Sequence, residues 1–201
     1  MRKRIAKVNR KTSETDIKIT LNIDGKGSLK IDTGIGFLDH MLTLFAKHGL
    51  FDLEIKAKGD LKVDLHHTNE DVGICLGEAF KKSLGDKKGI RRFGFASVPM
   101  DDAWVEVTVD ISGRPVFNEC GDSASKMTKR ATEDPYSFYD AKEFLKAFVN
   151  NFGLNLVFAV RLGDDLHHVL EALFKALAKA LDQATQIDPR MKGIPSTKGK
   201  L

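Results

Sequence analysis

Hydrophobic and polar positions alternate over Ile5 to Val8 and Ile17 to Ile23, the period-two pattern of strands that bury one face. Asp24-Gly25-Lys26-Gly27 predicts a turn into a short strand near Leu29 to Ile31. The period then changes: Phe37, Leu38, Met41, Leu42 and Phe45 recur at helical spacing, so a helix is expected over Phe37 to His48, ended by Gly49. Leu53 to Ala57 predicts another strand, and Leu65 to Leu84 a long helix closed by Gly85. From Gly89 the order repeats. Arg92 to Pro99 and Ala103 to Ile111 read as strands joined by Met100-Asp101-Asp102, and Ser112-Gly113-Arg114-Pro115 turns into a further strand. Helix Ser137 to Asn151, strand Leu154 to Arg161 and helix Leu166 to Gln186 follow. Gly121 to Pro135 is polar and reads as a loop or an irregular edge, and the tail from Gly193 to Leu201 is short and polar. Strands first, with helices interspersed on one side, indicate an α+β arrangement.

The repeated order comes with a repeated motif. His66-His67-Thr68-Asn69-Glu70 and His167-His168-Val169-Leu170-Glu171 share the form His-His-x-x-Glu, and each opens a helical segment. His40 precedes the first copy at nearly the same remove as Glu143 precedes the second, with a glycine-started strand between in each case (Gly49 and Leu50 to Ile55; Gly153 and Leu154 to Val160). The chain therefore reads as an internal duplication, with halves at 1–88 and 89–201.

Size and charge narrow the classes. The 201 residues suffice for an ordinary core, 42% are hydrophobic and 30% charged, and no apolar run approaches a membrane span. Net charge is +4, from 32 basic and 28 acidic residues, without the contiguous basic stripe that a nucleic acid would need. The two cysteines, Cys75 and Cys120, stand in unmatched contexts, which argues against a disulfide framework and fits a reducing cytoplasm.

Four of the six histidines lie in the two motifs. Adjacent helical residues point about 100° apart while residues three or four apart share a face, so one histidine of each pair can join the glutamate and the other aims elsewhere. That geometry suits two metal ions better than one. His40, His66, His67, Glu70, Glu143, His167, His168 and Glu171 together offer four ligands to each of two ions, and mixed imidazole and carboxylate donors suit manganese, iron, zinc or cobalt. Arg92, Arg114, Lys175 and the run Ser196-Thr197-Lys198-Gly199 form a second, basic constellation able to hold a phosphate; Lys175 lies one helical turn beyond Glu171. Glu14 and Asp101, at the ends of strands, are carboxylates available for proton transfer.

Thr33-Gly34-Ile35-Gly36-Phe37-Leu38-Asp39-His40-Met41-Leu42, Asp64-Leu65-His66-His67-Thr68-Asn69-Glu70-Asp71, Asp110-Ile111-Ser112-Gly113-Arg114-Pro115, His167-His168 through Phe174-Lys175-Ala176 and Pro195-Ser196-Thr197-Lys198-Gly199 resemble the imidazoleglycerol-phosphate dehydratases of histidine biosynthesis, from about Ala6 to the C-terminus. The resemblance implies a duplicated fold whose halves are each a mainly antiparallel sheet covered by two helices. It implies two manganese ions per active site at a subunit interface, and a homo-oligomeric cage of twenty-four copies. The eight ligand candidates fall on the family's metal positions, Arg92, Arg114, Lys175, Ser196 and Lys198 on its phosphate contacts, and Glu14 on its acid/base glutamate. Leu44, Val157, Asp102 and Asp165 depart from the family's usual glutamine, histidine, glutamate and asparagine.

The implied reaction converts D-erythro-imidazole glycerol phosphate to imidazole acetol phosphate, through a dimetal-bound imidazolate and a diazafulvene, with Glu14 removing the carbon-bound proton. Two other readings compete. A dinuclear metallohydrolase acting on a small phosphate ester would use the same metal pair to activate water, although the chain lacks an Asp-x-Asp-x-Thr signature. A non-catalytic metal-binding assembly would leave the phosphate residues without a purpose.

Overall fold

The computed structural model describes residues 3–121 and 136–201. Apart from Gly121, the polar stretch expected to be a loop or edge lies outside the described residues. The first half runs β1 (Ile5–Lys11), β2 (Thr15–Asn22), β3 (Leu29–Asp32), α1 (Gly36–Gly49), β4 (Asp52–Gly59) and α2 (His66–Leu84). The second runs β5 (Phe93–Met100), β6 (Ala103–Asp110), β7 (Val116–Glu119), α3 (Phe138–Phe152), β8 (Asn155–Leu162) and α4 (Leu166–Thr185). The sheets have the orders β1-β2-β4-β3 and β5-β6-β8-β7.

Both sheets are antiparallel except at one edge, where β3 runs parallel to β4 and β7 to β8. The parallel edge follows from connectivity, because a helix, α1 or α3, crosses over between those two strands. Alternation sets which face is covered: Ile17, Ile19 and Leu21 of β2 and Val105, Val107 and Val109 of β6 are all buried. The covered faces meet the helices, and the helices of one half pack on those of the other, α2 on α3 and α1 on α4.

Two glycines set how closely α2 and α3 approach. A Cβ at Gly73 would lie 2.6 Å from the Phe144 carbonyl oxygen, and one at Gly77 2.5 Å from that of Phe148. No side chain fits in that space. One turn further along α2, Phe80 is fully buried among four rings, Phe45 and Phe51 of its own half and Phe148 and Phe152 of the other, with centroids 5.1–5.9 Å away.

One boundary differs from expectation. Gly49 was expected to end α1, but it is the last helical residue, and Leu50 takes the left-handed turn (φ 58°) with its N–H on the Lys47 carbonyl. Gly49 is required for another reason: a Cβ there would fall 2.2 Å from the Phe51 ring. In the second half Gly153 itself holds the left-handed position (φ 78°). Both cysteines are free, and burial pushes the Cys75 thiol up to about 12, which leaves it unreactive.

Phe80→Ala removes the ring common to both halves. It should cost about 3–5 kcal/mol of stability, read as a shift of the denaturant midpoint by circular dichroism; a change below about 1 kcal/mol would show that the halves are held together elsewhere.

Candidate metal centre and its surroundings

The starts of α2 and α4 present their histidine pairs alike. Asp64 Oδ1 accepts the His66 N–H at 3.1 Å and Asp165 Oδ1 the His167 N–H at 2.8 Å, so an aspartate just upstream caps each helix. In each helix the first histidine joins the glutamate one turn on. His66 Nε2 lies 3.6 Å from Glu70 Oε2, and His167 Nε2 lies 3.1 Å from Glu171 Oε1. The second histidine points off that face. His67 Nδ1 lies 3.1 Å from Asp60 Oδ2 and 3.8 Å from Glu14 Oε2; His168 Nδ1 lies 2.5 Å from Asp102 Oδ1, and its Nε2 3.5 Å from Asp101 Oδ2.

The contact of α1 with α4 brings a first-half ligand to a second-half pair. His40 Nε2 is 2.9 Å from Glu171 Oε1, and donor atoms of His40, His167 and Glu171 all lie within 4.8 Å of one another. The Phe37 ring meets His167 edge-on at 5.2 Å and fixes its plane. An ionised carboxylate only accepts, so both imidazoles turn an Nε2–H toward Glu171. A cation can take the place of those two protons, and two imidazole nitrogens with a carboxylate oxygen suit a divalent transition ion. The residues fit a metal.

The sequence sets His40 before the first motif and Glu143 before the second, yet His40 meets the second motif's pair, and the remaining candidates His66, Glu70 and Glu143 are not closed in the same way. Glu143 is held by Lys146 at 2.6 Å, and no hydrogen bond or ion pair joins it to His66 or Glu70 among the described residues. The helices that carry these residues are nevertheless tied together. Asn69, inside the first motif and fully buried, accepts the Tyr136 hydroxyl at 2.9 Å and donates to the Asp140 carbonyl at 2.8 Å, tying α2 to the first turn of α3.

The local charges pull in different directions. Burial alone would raise the Glu171 carboxyl, but hydrogen bonds from Lys175 and His40, with His167, outweigh it and bring it down to about 2. The hydrogen bond to Asp60 raises His67, and that to Asp102 raises His168.

The phosphate candidates fall into two groups. Arg92 donates from Nε and Nη2 to Asp110 at 2.6 and 3.0 Å and from Nη1 to the Pro195 carbonyl at 2.8 Å, so it anchors the tail that carries Ser196 and Lys198. Arg114, on the turn after β6, is exposed. Lys175 lies beside the cluster of His40, His167 and Glu171, with Nζ 2.6 Å from Glu171 Oε2 and 3.1 Å from Met100 Sδ.

Comparison with known proteins is decisive. The family model for imidazoleglycerol-phosphate dehydratase matches residues 33–181. The imidazoleglycerol-phosphate dehydratase of Thermoanaerobacter pseudethanolicus is 57% identical over 199 residues, covering 98% of this chain and 100% of the relative. The chain belongs to the imidazoleglycerol-phosphate dehydratase family. The Geobacter metallireducens enzyme of the same name is 52% identical over 98% of this chain and 99% of its own. Among solved structures, the dehydratase from Staphylococcus aureus superposes with TM-score 0.79 at 34% identity, covering 92% of this chain and 99% of its own. The Pyrococcus furiosus protein, in complex with (S)-C348, gives 0.81 at 37%, covering 96% and 100%. This dehydratase is a hydro-lyase of histidine biosynthesis. Among the described residues no helix is long and apolar enough to cross a membrane.

Spacing alone did not find the dehydratase's acid partners Asp60 and Asp102, because each reaches its histidine through the fold rather than along a helix. Asp102 and Asp165, departures from the family pattern, both have work here: one pairs with His168 and the other caps α4.

A metal ion held by these histidines would have to displace protons from them. Since His67 and His168 are raised, the affinity of the dehydratase for a divalent transition ion should go on strengthening as pH rises above about 6.5, as read by calorimetric titration; an affinity independent of pH would exclude histidine ligation.

Proposed function

We propose that the chain dehydrates D-erythro-imidazole glycerol phosphate to imidazole acetol phosphate at a site that neighbouring copies complete for one another. The convergence of His40, His167 and Glu171 on one point carries this reading. Those three residues would hold one divalent ion, and His66, Glu70 and Glu143 a second. His67 and His168, turned off the glutamate-bearing faces, would each offer a nitrogen to an ion held by another copy. Manganese is the ion we assign, and a homo-oligomeric cage of twenty-four copies the assembly.

The hydrogen to be removed lies beside an alcohol carbon, with no carbonyl to stabilise a carbanion. Divalent ions held by these residues would supply Lewis acidity at the ring nitrogens, so that the ring proton and the adjacent hydroxide could leave together as water. Glu14 then takes the carbon-bound proton. Its carboxylate stands at a hairpin tip, half exposed and 3.8 Å from His67, so substrate can reach it. Asp101 occupies the corresponding hairpin of the other half, 3.5 Å from His168, and is the second carboxylate able to move a proton. Arg92, Arg114, Lys175, Ser196 and Lys198 would hold the phosphate, whose remote binding helps orient the reacting carbons. Arg92 has a further part, because its hold on Pro195 fixes where the tail lies.

Glu14→Gln should keep its manganese and its affinity for the substrate while turnover falls at least about 100-fold; full turnover would remove Glu14 from the mechanism. Release of inorganic phosphate in place of a ketone would favour the hydrolase reading. Shared sites can be tested by unfolding and refolding Glu14→Gln with His168→Ala as a mixture. Activity should return in mixed assemblies, and persistent inactivity would show that each chain's site is self-contained.

A further inference from the structure

Beneath the β1–β2 hairpin lies a small polar network. Asp71, directly after the metal-binding motif and only 8% exposed, accepts the Arg10 Nε–H at 2.8 Å and the Thr15 hydroxyl at 2.5 Å. The hydroxyls of Thr12 and Thr15 are 3.1 Å apart, and Thr12 Oγ1 accepts the backbone N–H groups of Glu14 and Thr15 at 3.1 and 2.9 Å. A carboxylate accepts only, so Thr15 must donate to Asp71. Thr15 Oγ1 then receives the Thr12 proton, and Thr12 Oγ1 receives the Glu14 N–H. The charge on Asp71 thereby orders the two hydroxyls, so that Thr12 Oγ1 keeps its lone pairs for the Glu14 N–H.

The duplication supplies an internal control. Gly59 is closely approached by Thr68 and Thr15 as Gly163 is by Val169 and Ala103, which equates Thr15 with Ala103 and Thr68 with Val169. Arg10 pairs with Ile17, two residues past Thr15, and Val98 pairs with Val105, two past Ala103, so Arg10 corresponds to Val98. Asp71, three residues past Thr68, corresponds to Ala172. The second half fills the same places with Val98, Ala103 and Ala172, and both alanines are buried. Those three positions therefore need no polar group to seat a hairpin, and the second hairpin is tied to α4 at other places, by His168 to Asp101 and Asp102 and by Lys175 to Met100. The buried set of Arg10, Thr15 and Asp71 occurs in the half whose hairpin carries Glu14.

We propose that Asp71, acting through Thr15 and Thr12 and steadied by Arg10, is a positioning residue that holds Glu14 at its place beside His67. The proposal rests on the reading of Glu14 as the proton acceptor.

The test uses the full chain loaded with manganese, with kcat, KM, metal content and denaturant midpoint measured together. Thr15→Val keeps the shape and removes the hydroxyl; kcat should fall about 10- to 100-fold with KM and metal content unchanged, and Thr15→Ser should restore turnover. The triple variant R10V/T15A/D71A installs the second half's residues and should show the same loss of kcat. In a Glu14→Gln background Thr15→Val should cost nothing more. Full turnover in Thr15→Val overturns the proposal. So does an equal loss in the Glu14→Gln background, which would place the effect elsewhere, or a loss that tracks metal content, which would assign the network to Glu70. If the triple variant fails to fold, the Thr15→Val and Thr15→Ser pair decides alone. If Glu14→Gln itself retains turnover, the proton-acceptor reading falls and this proposal with it, whereas loss in Glu14→Gln beside full turnover in Thr15→Val sinks positioning only.

Discussion

The close approach of α2 to α3 governs this molecule. At Gly73 and Gly77 the backbone of one half comes within van der Waals reach of carbonyl oxygens of the other, and the Phe80 ring closes the seam one turn later. Helix spacing of this kind leaves little freedom, since a packed interior resists even a methyl group. The equivalent pairing of α1 with α4 carries His40 to Glu171. Ligands separated by more than a hundred residues thus become neighbours because two sheets turn their helix-covered faces toward each other. The site is a product of the seam between halves, and neither half holds a complete donor set.

Much of this was legible in the residues. Period-two and helical spacing placed every described strand and helix to within a few residues, because each element buries one face and the chain repeats its order. The His-His-x-x-Glu spacing foretold that one histidine of each pair would leave the glutamate. Which one leaves the spacing did not say, since residues three and four apart share a face, and in the structure it is the first histidine that meets the glutamate. Other features had no local signal. The roles of Gly73 and Gly77 depend on a helix from the other half, and the left-handed Leu50 reflects the Phe51 ring that excludes a side chain from Gly49. Asp60 and Asp102 meet their histidines only after the strands have been placed. Arg92, read simply as a basic turn residue, proves to be committed to Asp110 and Pro195.

Electrostatics and packing have been divided between the two halves. Around Glu171 three donors crowd a single buried carboxylate and hold it in the ionised form that a cation would need. Around His67 and His168 the acids are exposed, and water screens them.

Because His40 is paired with residues of the other half, a lone half-chain could finish a cluster only by associating with a twin. Such a twin pair would be symmetric, and any change in one partner would be copied in the other. Covalent linkage ends that equality. A glutamate can be placed on one hairpin, an aspartate on its counterpart, and a histidine in one cluster can answer a glutamate in the other, so that a linked chain can differentiate two surfaces that an unlinked ancestor would have been obliged to keep identical.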